Sequence, residues 1–88
     1  MIKSVFVEFI GTLLFLYVII ATGNFAAIGA VLSLLIYLGG PISGGYFNPA
    51  VTVMMVAAKK QHMNILIPYI AAQLAGGLVA LELYKRIH

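Results

Sequence analysis

The residues with chemistry to offer are few, and they gather around one tripeptide. Asn48-Pro49-Ala50 follows an apolar, glycine-rich stretch, Ile42-Ser43-Gly44-Gly45-Tyr46-Phe47. Asn is a preferred N-cap, and Pro is favoured at the first helical position, where its missing N–H loses no partner. A helix is therefore expected to start at Asn48, and its apolar run lasts only to Ala58 before Lys59-Lys60. Two further polar groups, Glu8 and Gln73, stand inside otherwise apolar stretches. Such groups can donate and accept hydrogen bonds. The sequence has no nucleophile–base pair and no metal-ligand constellation, so neither an enzyme nor a metal or cofactor site is expected. The absence of cysteine excludes disulfides and thiolate metal sites. His62 and His88 fall in a connector and at the end of the chain, and solvated positions are expected for both.

What positions these residues is a membrane. Only 8% of the 88 residues are charged and the mean hydropathy is +1.13. A soluble domain this small would leave too much apolar surface in water, so lipid is the natural solvent. The net charge of +3 comes from scattered residues near segment ends, without a Lys/Arg-rich run, which argues against a nucleic-acid partner. A spanning helix needs about 20 mostly apolar residues. Three stretches qualify, Ser4–Thr22, Phe25–Gly39 and Asn64–Tyr84, and together they imply one all-α membrane unit over residues 1–88. Lys3, the first apolar run and Ala21-Thr22-Gly23 imitate a cleaved signal peptide. Glu8 interrupts that run, and the remainder would still be a membrane protein, so a spanning helix is preferred.

Small residues mark the expected helix contacts. Gly29 and Ser33 form one small-xxx-small pair, and Ala72, Gly76 and Ala80 form a longer one. Gly39-Gly40-Pro41 is expected to end the second helix, because Pro disfavours helix at the residue before it. Glu8 either snorkels to the headgroups or faces protein and accepts hydrogen bonds from irregular backbone. The second is favoured, because the glycine-rich connector needs partners. Gln73 fits equally as interhelical glue or as a tie to the connector.

Asn48–Ala58 is apolar but covers only about 15 Å, half the hydrocarbon thickness. A half-helix entered through a glycine-rich connector is a re-entrant element. It is tolerated only when buried in protein or lining a watery cavity. Its positive dipole end would point at the membrane centre, as in a solute pathway.

Ser43-Gly44-Gly45-Tyr46-Phe47-Asn48-Pro49-Ala50-Val51-Thr52 resembles the first NPA loop of the aquaporin (major intrinsic protein) family. Glu8-Phe9-Ile10-Gly11-Thr12 resembles the opening of that family's first helix, and Tyr69-Ile70-Ala71-Ala72-Gln73-Leu74-Ala75-Gly76 its third. The resemblance implies one of two inverted repeats, with three spanning helices and one re-entrant half-helix, half of an aquaporin fold. It implies that Asn48 donates to the permeant and that Gly44, Gly45 and Tyr46 supply a ladder of carbonyl acceptors. It also implies that Glu8 and Gln73 support the loop. By the family's internal symmetry the selectivity filter falls on Ile28, Ile36, Gly45 and Val51. None is the arginine usual there, and Tyr46 stands where many members have His.

The function expected is a passive channel for water or small neutral, glycerol-like solutes, formed by an antiparallel homodimer embedded in lipid. Four pores side by side, as the family suggests, would make a tetramer of dimers. With Lys3, Lys59 and Lys60 on one side and Lys85 and Arg86 on the other, the charge bias is weak enough for both orientations to insert. The alternative is a non-conducting structural subunit, or a half-channel completed by a different partner. Met1 and the polar Tyr84–His88 end weigh mildly against an excised fragment.

Overall fold

The computed structural model describes residues Met1–His88. Four α-helices follow one another: α1 (Ile2–Thr22), α2 (Phe25–Ser43), α3 (Pro49–Ala57) and α4 (Leu66–Ile87), with a short 3-10 turn at Met63–Ile65 before α4. The helix α1, the helix α2 and the segment Met63–Ile87 are each long and apolar enough to cross a membrane. The helix α3 has only nine residues, about 14 Å of rise. The chain is therefore all-helical, with three spanning elements and one half-length element.

Local signals set the ends. The helix α1 stops at Gly23, whose left-handed backbone (φ 55°) lets its N–H reach Ile19 O at 3.0 Å. One residue later Asn24 caps α2, its Oδ1 accepting from Ala27 N at 2.9 Å, a cap the sequence reading did not use. At the far end of α2 the structure departs from expectation. The helix runs through Pro41 and stops only at Ser43. Much of the clash that Pro imposes on its predecessor involves that residue's Cβ, and Gly40 has none. The connector is correspondingly shorter and starts at Gly44, where φ is 97°.

The helices α1 and α4 form the tightest pair. Gly76 touches the α1 backbone, since a Cβ there would lie 2.7 Å from Phe9 O and 3.1 Å from Leu13 N. Ala72 and Ala80 flank it and are buried, so the small-residue stripe of α4 packs as expected. Gly29 and Ser33 do not. Both are exposed on the free side of α2, and a Cβ at Gly29 would meet nothing within 4 Å. The close approach to α2 is made at Gly11 and Gly39 instead, which leave the slot that the Phe47 ring fills.

The interior is polar and small while the exterior is apolar. Glu8, Thr12, Ser43, Thr52 and Gln73 are buried, whereas Phe25, Tyr37, Ile67 and Leu78 are more than 60% exposed. Lipid tails are as apolar as leucine, so close packing and hydrogen bonds hold the helices together.

Candidate functional site

The connector enters between the helices at Gly44 and ends at Asn48. Gly44 (φ 97°), Gly45 (φ 69°) and Phe47 (φ 52°) all have left-handed backbone, which turns successive peptide groups in ways no helix or strand allows. For Phe47 this conformation is uncommon, and its buried ring between Gly11 and Gly39 holds it there.

The connector's donors are all paired inside the protein: Gly44 N on Gly40 O, Gly45 N on Ser43 Oγ at 3.2 Å, and the last two on a single side chain, Glu8. The fully buried Glu8 carboxylate accepts from Phe47 N (2.8 Å) and Gln73 Nε2 (2.8 Å) on Oε1. On Oε2 it accepts from Ser43 Oγ (2.7 Å) and Tyr46 N (3.1 Å). These four donors match the roughly four lone-pair sites of a carboxylate. Glu8 therefore faces protein and not headgroups. Gln73 is tied to the connector through Glu8, and its Nε2 also donates to Thr52 Oγ1 at 2.7 Å. Thr52 in turn donates to Asn48 O at 3.0 Å, which joins the first turn of α3 to the same network. Tyr69 adds a further link from α4, its hydroxyl donating to Ser43 O at 2.7 Å.

The acceptors on the connector are left bare. None of the carbonyls of Gly44, Gly45 and Tyr46 accepts a hydrogen bond from within the chain. Asn48 is exposed at the N-terminus of α3, and its Oδ1 accepts from Ala50 N at 2.7 Å. That bond fixes the amide plane and leaves both Nδ2 hydrogens free. Asn48 and Pro49 lie at the floor of a cleft of about 550 Å³ between α1 and α4, beside Thr12, Phe15 and Gly77. Thr12 and Gly77 are near the middle of their helices, so the half-helix starts at mid-depth.

The four residues expected at a filter are not assembled in one chain. Gly45 is buried against α2, where a Cβ would lie 3.3 Å from the Cα atoms of Ile36 and Gly40. Ile36 and Gly45 are thus neighbours, and Val51 is half-buried one turn into α3. Ile28 lies eight residues before Ile36 on α2, about 12 Å away along the axis. A single copy brings three of the four residues to the same end.

Of the residues singled out in the sequence, Glu8 and Gln73 meet at the connector and Asn48 caps α3, while the parts of Ser43, Phe47, Thr52 and Tyr69 in the same network were not read from it. Thr52 had a readable signal: a threonine four residues after the cap can bond the i−4 carbonyl. The two histidines are exposed as expected. His62 Nδ1 caps the 3-10 turn by accepting from Asn64 N at 3.0 Å, and His88 lies 3.1 Å from the Tyr17 hydroxyl.

Comparisons with known proteins agree with this architecture. The family model described as Major intrinsic protein matches residues 1–88. A probable aquaporin, PIP2-6 of Oryza sativa subsp. japonica, is 35% identical over 97% of this chain and 37% of its own length. Glycerol uptake facilitator protein-like 6 of Lactiplantibacillus plantarum is 42% identical over 83% of this chain and 38% of its own. Probable aquaporin PIP2-8 of Arabidopsis thaliana is 34% identical over 94% and 36%. The chain therefore spans well under half the length of these relatives. No solved structure gives a significant match. Three spanning helices, a half-helix behind a glycine-rich connector and a family match over the whole chain lead to one conclusion: this is an integral, multi-pass membrane protein of the major intrinsic protein family.

Proposed function

We propose that two inverted copies of this chain form a pore that passes water and small neutral solutes of about glycerol size. The observation that carries this is the division of the connector. Its N–H groups are all paired inside the protein, those of Tyr46 and Phe47 on Glu8, that of Gly45 on Ser43 Oγ and that of Gly44 on Gly40 O, whereas the carbonyls of Gly44, Gly45 and Tyr46 and the Asn48 amide hydrogens are left without partners. Unpaired backbone at this depth is tolerated when it lines a watery path. The carbonyls of Gly44, Gly45 and Tyr46 accept from the permeant, and Asn48 donates to it.

A second copy rotated about an axis in the membrane plane places its half-helix head to head with the first. The positive ends of both half-helices then meet at mid-membrane beside two Asn48 side chains. That field opposes passage of cations and protons. The inverted copy also completes each mouth, since Ile28 of one copy joins Ile36, Gly45 and Val51 of the other. Such a mouth has no arginine and no side chain at Gly45, which favours solutes larger than water. Four such dimers side by side are the assembly that the family resemblance suggests.

Reconstitution into liposomes tests this. Osmotic shrinkage with water and with glycerol should both exceed those of empty vesicles. Cysteine labelling from outside should find the chain in both orientations. Vesicles that hold the folded chain yet are no more permeable than lipid alone would reject the homomeric pore. A half-channel completed by a different partner, or a structural role, would then be favoured.

A further inference from the structure

The half-helix α3 packs on α4 and leaves its other flank open, with Val53 and Met54 about half exposed. Between that flank and the start of α4 runs a groove of about 830 Å³. Its walls include Val53, Val56, Ala57 and Leu66, and its rim carries Lys59 and Lys60. From mid-membrane outward it is first apolar and then cationic.

The chain has only two acids to set against its five basic residues. Glu8 is consumed inside the connector knot. Glu82 is the other, 57% exposed, and it lies 3.5 Å from Lys85 Nζ and 3.8 Å from Arg86 Nη2. Both are long, solvent-exposed ion pairs that contribute little, so exchanging them for other partners costs Glu82 little. Leu78 and Val79, four and three residues before it, share its face of α4 and are exposed. That stripe is also apolar toward mid-membrane and charged at the outer end, with the opposite sign.

Within one chain the two cannot meet. Lys59 is at the end where α4 begins, and Glu82 is sixteen residues along α4 from Leu66, about 24 Å away. Inverting a second copy brings its Glu82 to the level of Lys59 and Lys60. A parallel copy keeps it at the opposite face.

We infer that the groove beside α3 receives the outer half of α4 from a second, inverted copy, and that the partner's Glu82 pairs with Lys59 and Lys60. This inference rests on the inverted pairing proposed above. Two-fold symmetry makes the contact twice per dimer. The ion pairs select the antiparallel arrangement, since side-by-side parallel copies would crowd their lysines at one face.

The chain has no cysteine, so introduced ones report cleanly. In vesicles, the doubly substituted chain Lys59→Cys, Glu82→Cys should form covalent dimers with a short thiol cross-linker, because its own two sites are too far apart to join. Either single variant should form none. For the charges, Glu82→Gln should raise the dimer dissociation constant roughly 2- to 30-fold for the two exposed pairs together. Exchanging the signs with Glu82→Lys and Lys59→Glu should restore it, and the exchange keeps the basic residues of the two faces within one of each other. Homotypic cross-links from a single variant would mean parallel packing and overturn both the pore and this contact. If the wild-type chain inserts both ways and conducts, but the double variant does not cross-link, the contact alone is wrong. If Lys59→Gln with Lys60→Gln instead abolishes only a dependence on anionic lipid in the vesicle, the groove is a lipid site and the inference fails.

Discussion

The two sides of the connector between α2 and α3 are built from the same residues and have opposite polar economies. On the α1 side, the N–H groups of Tyr46 and Phe47 end on the Glu8 carboxylate, which also takes Ser43 and Gln73. On the other side, three successive carbonyls and the amide hydrogens of Asn48 have nothing to bond. Left-handed backbone at Gly44, Gly45 and Phe47 produces the separation by sorting donors from acceptors. The bonded side makes the unbonded side rigid. Bare carbonyls on a loose loop would find partners within the protein, whereas here Glu8 has already committed the peptide planes.

The sharpest way to break the contrast is to remove the acceptor. Glu8→Leu strands the N–H groups of Tyr46 and Phe47 and one Gln73 hydrogen in a buried site, each costing about 1–3 kcal/mol. That total is comparable to the whole stability of a small domain. The variant should fail to yield folded protein in detergent. Glu8→Gln keeps one acceptor oxygen, and the Ser43 hydroxyl can rotate to accept from the new amide, so it should fold with reduced thermal stability. Equal stability of Glu8→Leu and the wild type would mean that the connector does not depend on this knot.

A second contrast separates α4 from α2. Gly76→Ala pushes a methyl against fixed α1 backbone and should destabilise by about 1–3 kcal/mol. Gly29→Ala meets open space, and replacing Gly inside a helix should stabilise by about 0.5–1 kcal/mol. Thermal denaturation of the two variants in the same detergent measures the difference, and a matching shift would contradict the observed packing.

Much of this was legible in the sequence because the physical signals were local. Asn48-Pro49 announces a helix start, and Lys59-Lys60 marks its early end. Glu8 in an apolar run had to find donors, and the only nearby irregular backbone was the connector. The parts that were not legible depend on three dimensions. Nothing in the order of residues says that Phe47 occupies the slot between Gly11 and Gly39, or that Gly29 and Ser33 face outward. Pro41 misled because its helix-breaking effect was weighed without the missing Cβ of Gly40. The proposed filter set rests on the family's symmetry alone, since Ile28 and Ile36 lie at different depths of one helix.

On the unbonded side, the proposed pore predicts effects in flux more than in stability. Asn48→Leu removes the cap, worth about 0.5–2 kcal/mol, and with it the proposed donor at mid-pore. Water permeability per assembled pore should fall roughly tenfold, the equivalent of one lost hydrogen bond of about 1.4 kcal/mol. Val51→Arg should act more gently and selectively. It narrows both mouths of a homodimer, so glycerol flux should drop more than water flux. An unchanged ratio in assembled vesicles would show that Val51 is outside the filter.

The smallest effect is expected where the two sides meet. The Tyr46 peptide belongs to both, its N–H on Glu8 and its carbonyl bare, while its ring folds over Gly44, where a Cβ would lie 2.8 Å from it. The ring packs tilted against Tyr69 at 5.9 Å between centroids, and the hydroxyl accepts from Gln61 Nε2 at 3.4 Å. That distance is at the limit of a hydrogen bond and Gln61 is only half-buried, so the link should add little. Tyr46→Phe keeps the ring contact and loses only the hydroxyl. Stability should change by under about 0.5 kcal/mol, as for other substitutions away from buried features. Water and glycerol fluxes should match the wild type. A several-fold rise in flux at unchanged stability would give the side chain another role. The Tyr46–Gln61 contact would then be a latch across the mouth, and the connector would gate the pore as well as line it.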